Sequence, residues 1–349
     1  MRTVVYAMAG LSTALSVAQA QYATVTGRVV LRDDGQPLGF TTISVLSQGT
    51  QRLASDSGTF VLRNLPPGEV RLRFRRIGFV PKDTVFVAGA GDTARIRIEM
   101  TRLAIPLPAV VVNGTCTDRT PFENRPAFLT QLLDQVKQNA ERMRLLAIER
   151  PFVIRTVAVG GFRDRSNNII GKPVVDSIER GPLSTKPYAP RGVVYRGTEG
   201  RLKGAWIILL PELSDLADTA FTNNHCLWYS GQERFGADSA IRVDFEPVPW
   251  LDKELDLTGS VYLRVDGYQL VGLYTKLNRI PPGNRVLAEY FVHARFREIV
   301  SGVPVVSEWE LTNVMRNNRP GFVQTGRVIG VKWLDSLPAK RDTVPRPPR

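Results

Sequence analysis

From Val25 to Met100 short apolar runs alternate with polar residues and are cut by turn residues. Val25, Gly27, Val29 and Leu31 alternate with Thr24, Thr26, Arg28 and Val30, the period of a strand with one buried face. Val70, Leu72 and Phe74 alternate with Arg71, Arg73 and Arg75, and Ile96, Ile98 and Met100 alternate with Arg95, Arg97 and Glu99. Asp34-Gly35, Asp56-Ser57-Gly58 and Pro66-Pro67-Gly68 fall between these runs. Glycine supplies the positive φ of tight turns there, and proline cannot donate to a ladder. About seven short strands without helical periodicity between them predict a β-sandwich over 23–101.

The period changes after a proline-interrupted connector over 102–125. Leu129, Leu132, Leu133, Val136, Ala140, Met143 and Ala147 recur at steps of three and four, predicting one amphipathic helix between Pro126 and Pro151. The stripe reads as core contact, with a ligand for a partner's groove as the sharper alternative. Alternating segments then return at 152–159, 193–196, 205–210, 225–229, 241–245, 260–265, 269–278, 286–299, 303–315 and 322–333. A short helix is expected at 211–220, and Asp266-Gly267 and Ser301-Gly302 mark hairpin turns. The expected whole is mainly β: a seven-stranded Greek-key sandwich followed, over 126–337, by a curved antiparallel sheet with one helix (α+β). A proline-rich basic tail over 338–349 is expected to be disordered.

The first twenty residues change the picture of where the chain works. Arg2 precedes an apolar run from Val4 to Val17, and Ala18-Gln19-Ala20 supplies a small-x-small cleavage pattern. A signal peptide over 1–20 is therefore expected. The run is too short and too diluted by Gly10, Ser12, Thr13 and Ser16 for a membrane span, and no transmembrane segment is expected after cleavage. The expected location is the periplasm, the outer membrane or the cell surface. Export gives Cys116 and Cys226 a meaning, because an even count in an oxidising compartment reads as a disulfide, with two free thiols as the alternative. Asn113-Gly114-Thr115 fits a glycosylation acceptor, a weak pattern.

The ordered motifs Gly27-Arg28-Val29, Gly35-Gln36-Pro37-Leu38, Asp56-Ser57-Gly58-Thr59-Phe60, Leu65-Pro66-Pro67-Gly68 and Ile77-Gly78-Phe79 resemble the carboxypeptidase regulatory-like domain. The resemblance implies a transthyretin-like β-sandwich with a supporting, non-catalytic role, and no substrate. Farther on, His225-Cys226, Val243-Asp244-Phe245-Glu246-Pro247 and the stretch from Asp256 to Leu263 resemble the C-terminal part of uncharacterised exported proteins with the same front domain. That resemblance places two cysteines in the same two places and so implies the bridge. In outline the C-terminal pattern is also similar to the half-barrel of periplasmic lipoprotein carriers.

Charge and candidate chemistry add less. The net charge of +13 comes from 37 Arg and 9 Lys against 33 acidic residues, spread through strands instead of gathered into a tract, so a nucleic-acid partner is not expected. Arg71, Arg73, Arg75, Arg95 and Arg97 would make one basic face for an anionic envelope surface if their strands are neighbours. His225 and His293 lack the glutamate spacing of a zinc peptidase, and adjacent His225 and Cys226 point to opposite faces of a strand. His225 is read as a surface residue. Asp244, Glu246, Asp252, Glu254 and Asp256 are the one acidic cluster, read as an exposed loop and alternatively as a glycan, peptide or cation site. Trp206, Trp228, Trp250, Trp309 and Trp333 are read as core, with a sugar-stacking platform as the alternative. No phosphate loop, nucleotide fingerprint or nucleophile elbow is present, and no cofactor is expected. These readings converge on a non-enzymatic exported protein with an unspecified envelope partner: protein, lipid or glycan. An envelope hydrolase using the Asp244 to Asp256 carboxylates is the alternative.

Overall fold

In a computed structural model, the protein is described at residues 22–109, 125–164, 166, 168–181, 188, 194–198, 204, 206–208, 213–251, 253–316 and 321–335. The expected signal peptide, the acceptor Asn113, Cys116, Asp252 and the expected tail lie outside the described residues.

Seven strands build the first unit: β1 (Ala23–Leu31), β2 (Thr42–Val45), β3 (Thr50–Leu53), β4 (Thr59–Leu65), β5 (Gly68–Arg75), β6 (Lys82–Ala88) and β7 (Thr93–Met100). They form two sheets, β4-β1-β7 and β3-β2-β5-β6, with β1 and β7 parallel and the other pairs antiparallel. The alternation anticipated from sequence is obeyed: Val70, Leu72 and Phe74 are buried between the sheets while Arg71 and Arg73 face water. With Val25, Val29, Ile43, Phe60, Leu62, Ile98 and Met100 they make a continuous core. The segment at 102–109 is no free linker. Leu103 donates its N–H to the Gly78 carbonyl at 2.8 Å, and Ile105 donates to the Tyr268 hydroxyl at 2.9 Å.

The second unit begins with α1 (Ala127–Glu149), followed by β8 (Phe152–Arg163), β9 (Ile169–Arg180), β10 (Val194–Arg196), β11 (Trp206–Ile208), α2 (Leu213–Ala217) and α3 (Thr219–Asn224). A meander follows: β12 (His225–Phe235), β13 (Asp238–Pro247), β14 (Leu257–Arg264), β15 (Leu270–Leu277), β16 (Leu287–Val300), β17 (Val303–Met315) and β18 (Gly321–Trp333). Nine of these strands form one antiparallel sheet in the order β12-β13-β14-β15-β16-β17-β18-β8-β9. The strand β9 is unforeseen in the sequence, because Gly171 and Pro173 interrupt it and its apolar pairs, Ile169-Ile170 and Val174-Val175, do not alternate and lie exposed. It lies at the sheet edge, where proline costs no ladder bond.

The apolar stripe of α1 is core: Leu129, Leu132, Val136, Met143 and Leu146 pack with Phe221, Ile241, Val243, Phe245, Leu273 and Val292 on one face of that sheet. Yet α1 is less amphipathic in use than its sequence implies. Gln135, Gln138, Asn139 and Arg142 are buried as well; Gly78 of the sandwich meets Gln135, while the β14-β15 and β16-β17 turns meet Asn139 and Arg142.

Candidate functional site

The join between the two units is where polar groups, charges and space converge. Gln135 and Asn139, fully buried on α1, act as connectors. The Gly78 N–H donates to Gln135 Oε1 at 2.8 Å, and the Leu270 N–H donates to Asn139 Oδ1 at 3.1 Å. A buried amide left without such partners is costly, so these bonds fix the sandwich to the helix and the helix to the β14-β15 hairpin. Gly78 adopts φ +79°, and a Cβ there would stand 2.9 Å from the Gly267 carbonyl oxygen. Two turn motifs far apart in sequence thus meet backbone to backbone.

At the C-terminal end of α1 the same join holds a half-open cleft of about 420 Å³. Phe40, Leu53, Phe60 and Leu146 supply apolar wall, while Ser55, Asp56, Thr59 and Glu149 supply polar atoms. The Ser55 and Thr59 hydroxyls lie 2.7 Å apart, and Glu149 Oε1 accepts the Leu53 N–H at 2.9 Å. Withdrawal from water raises the Glu149 pKa, partly offset by that N–H. The sequence gives one wall as a turn motif, Asp56-Ser57-Gly58-Thr59-Phe60, but not the site, since the other wall comes from the end of α1 about ninety residues away.

The expected single basic face is corrected by the topology. Arg71, Arg73 and Arg75 belong to β5, whereas Arg95 and Arg97 belong to β7 in the other sheet. The first group is also largely matched: Arg71 with Glu69 at 2.5 Å, Arg73 with both oxygens of Asp83 at 2.8 Å, and Arg75 with Glu141 of α1. Arg97 lies 3.4 Å from Glu99. On that sheet the parallel register instead sets Arg28 of β1 opposite Arg97, a neighbour that the alternation alone did not reveal.

The acidic cluster divides. Asp244 stands on the face of β13 opposite Val243 and Phe245, accepting from Ser230 Oγ (2.7 Å), Ser260 Oγ (2.6 Å) and Arg242 Nε (2.6 Å). Asp256, read from sequence as exposed, is fully buried on the other side. Its carboxylate accepts the Leu257 N–H at 2.8 Å and the Tyr188 hydroxyl, and lies 3.8 Å from His225 Nε2. His225 is likewise corrected from surface to core. It stacks on Phe221 at 4.0 Å, and its ring nitrogens lie 3.0 and 3.1 Å from the Phe221 and Leu257 carbonyls. Burial lowers its pKa, with Asp256 pulling the other way; burial raises that of Asp256. Both groups are held by the fold, with no open face toward a substrate.

Cys226 points away from His225 and is disulfide-bonded. Cys116, the chain's other cysteine, lies outside the described residues, so the pairing of the two remains a proposal. Of the tryptophans, Trp309 packs against the core, while Trp250 and Trp333 are substantially exposed. No described helix is long and apolar enough to cross a membrane.

Among solved structures, a putative outer membrane lipoprotein-sorting protein domain from Vibrio parahaemolyticus matches with a TM-score of 0.32 and 8% identity, covering 59% of this chain and 95% of that one. A LolA superfamily protein from Nitrosomonas europaea gives 0.31 and 10%, covering 60% and 95%. A putative carbohydrate binding protein from Bacteroides uniformis gives 0.20 and 13%, covering 22% of this chain and 40% of that one, so the present chain spans less than half of its length. No curated protein matches the chain. The family model of the carboxypeptidase regulatory-like domain matches residues 24–101. That span coincides with the seven strands β1 to β7, and the unit joined to α1 is a carboxypeptidase regulatory-like domain.

Proposed function

We propose that this chain is a non-catalytic exported protein of the cell envelope, in which the regulatory-like domain and the end of α1 together hold a ligand in the cavity at their join. The observation that carries this reading is the cavity itself, walled by Phe40, Ser55, Asp56, Thr59 and Phe60 from one unit and by Leu146, Glu149 and Arg150 from the other. Its mixture of apolar wall, hydroxyls and carboxylates fits a hydroxyl-rich ligand such as a glycan end, whose hydroxyls donate to acidic oxygens while its ring carbons cover apolar surface. The hydrolase alternative gains no support from Asp244 and Asp256, which lie on opposite sides of β13 and are occupied by internal partners.

The test is photo-crosslinking in the producing cell, with a photoreactive residue at Val61 on the cavity wall and, as control, at Val87, which is 81% exposed on β6. A glycan-bearing adduct at position 61 and absent at position 87 is expected. Equal labelling at both, or none at 61, overturns the reading.

A further inference from the structure

The join contains a second feature, remote from the cavity in composition and charge. Arg142 of α1 is the largest fully buried side chain of the described residues, and its guanidinium donates to the Ser301 carbonyl at 3.2 Å. Arg76, from the loop after β5, donates to the Ser301 hydroxyl, also at 3.2 Å. Two guanidinium groups, one from each unit, therefore converge on a single residue in the β16-β17 turn. Gly302 closes over them, since a Cβ there would lie 2.1 Å from Arg142 Nη1. Arg76 and Arg102 also both lie over the Phe79 ring, at 5.7 and 5.8 Å from its centre.

Among the described residues this cluster is short of counter-charge. No ion pair ties Arg76 or Arg142 to a carboxylate among the described residues, although the field of exposed Glu298 partly offsets both. Arg142 Nε and Arg76 Nη1 are buried without a hydrogen-bond partner among the described residues. Burial, then Arg76, pushes the Arg142 pKa down to about 9, so the group is still charged at neutral pH. A buried charge without a partner is among the costliest arrangements in a protein, and guanidinium donors match the oxygens of phosphate in geometry.

We propose that Arg76 and Arg142 form a phosphate-binding site across the join, in which one phosphate group takes the unused donors of both side chains and clamps the regulatory-like domain to α1. The unused donors, Arg142 Nε and Arg76 Nη1, have no accessible surface as they stand, so a phosphate reaches them only when half-buried Arg76, beside exposed Ser301, swings aside. The phosphate is either free or carried by a lipid headgroup; the chemistry of recognition is the same. This site is independent of the cavity, and either stands if the other fails.

The test is thermal unfolding of the full exported chain in inorganic phosphate against chloride at matched ionic strength. A phosphate-specific rise in Tm is expected. It should weaken at least tenfold in apparent affinity in Arg76→Gln, whose half-buried position spares the core, and strengthen in Glu298→Gln, which removes the competing carboxylate. Co-sedimentation with phosphatidylglycerol vesicles that inorganic phosphate competes away assigns the headgroup as source, and its absence alongside the Tm response assigns the free ion. Equal Tm in phosphate and chloride, or an undiminished phosphate response in Arg76→Gln, overturns the site.

Discussion

Replacing Gly78 by alanine probes the join at its tightest backbone contact. Two costs add. Alanine in the left-handed region at φ +79° loses about 1–2 kcal/mol relative to glycine. The new Cβ, 2.9 Å from the Gly267 carbonyl oxygen and 3.0 Å from Gly267 Cα, must also displace backbone, which typically costs about 1–3 kcal/mol in a packed site. The expected total is about 2–5 kcal/mol. Gly171 offers a matched control, because it shares φ +79° but has nothing within 4 Å of the place a Cβ would occupy, leaving the conformational cost alone. Urea unfolding of both variants reads the difference as a shift in midpoint at constant slope. A loss in Gly78→Ala within about 0.5 kcal/mol of that in Gly171→Ala would refute the packed join, since changes of that size are ordinary for surface positions.

Other outcomes follow from the same contacts. Gln135→Leu strands the buried Gly78 N–H and should lower stability by about 1–3 kcal/mol in the same assay; no loss would mean that this bond is not formed. His225 has its folded pKa lowered from 6.5 by burial, so the unfolded chain takes up the proton first and stability falls as pH drops through the range just below that value. His225→Phe should flatten the dependence of urea midpoint on pH there, and an unchanged slope would contradict a ring whose pKa is lowered by burial. A Cys116–Cys226 bridge closes a loop of 110 residues (226 minus 116), for which chain entropy gives about 4–5 kcal/mol. Alkylation of the folded protein without reductant should leave both cysteines unmodified in the mass spectrum, and two labelled thiols would rule the bridge out.

Much of the fold was legible because its period is local. The runs around Leu72 and Ile98 alternate cleanly, and the stripe from Leu129 to Ala147 marked α1 to within two residues at each end. Strand β9 was hidden because an edge strand need not bury alternate residues and tolerates Pro173. The site features were illegible for a different reason. Alternation tells which side of its own strand Arg95 occupies but not which sheet that strand joins, so the basic residues fell on two sheets. Arg142 resembles any polar position between apolar ones until the β16-β17 turn is laid over it. Asp256 looked like its acidic neighbours, yet Leu257 begins a strand whose inward side carries the carboxylate to His225.

The most direct test of ligand binding at the join is saturation-transfer NMR on the purified exported chain with a panel of oligosaccharides, using Val61→Trp to fill the cavity and Val87→Trp as a remote control. Binding by wild type and Val87→Trp, its loss in Val61→Trp, and recovery of uncleaved ligand are the predicted results. Equal signal from all three proteins, no signal from wild type, or cleaved ligand would contradict a non-catalytic binding protein with its site between the two units.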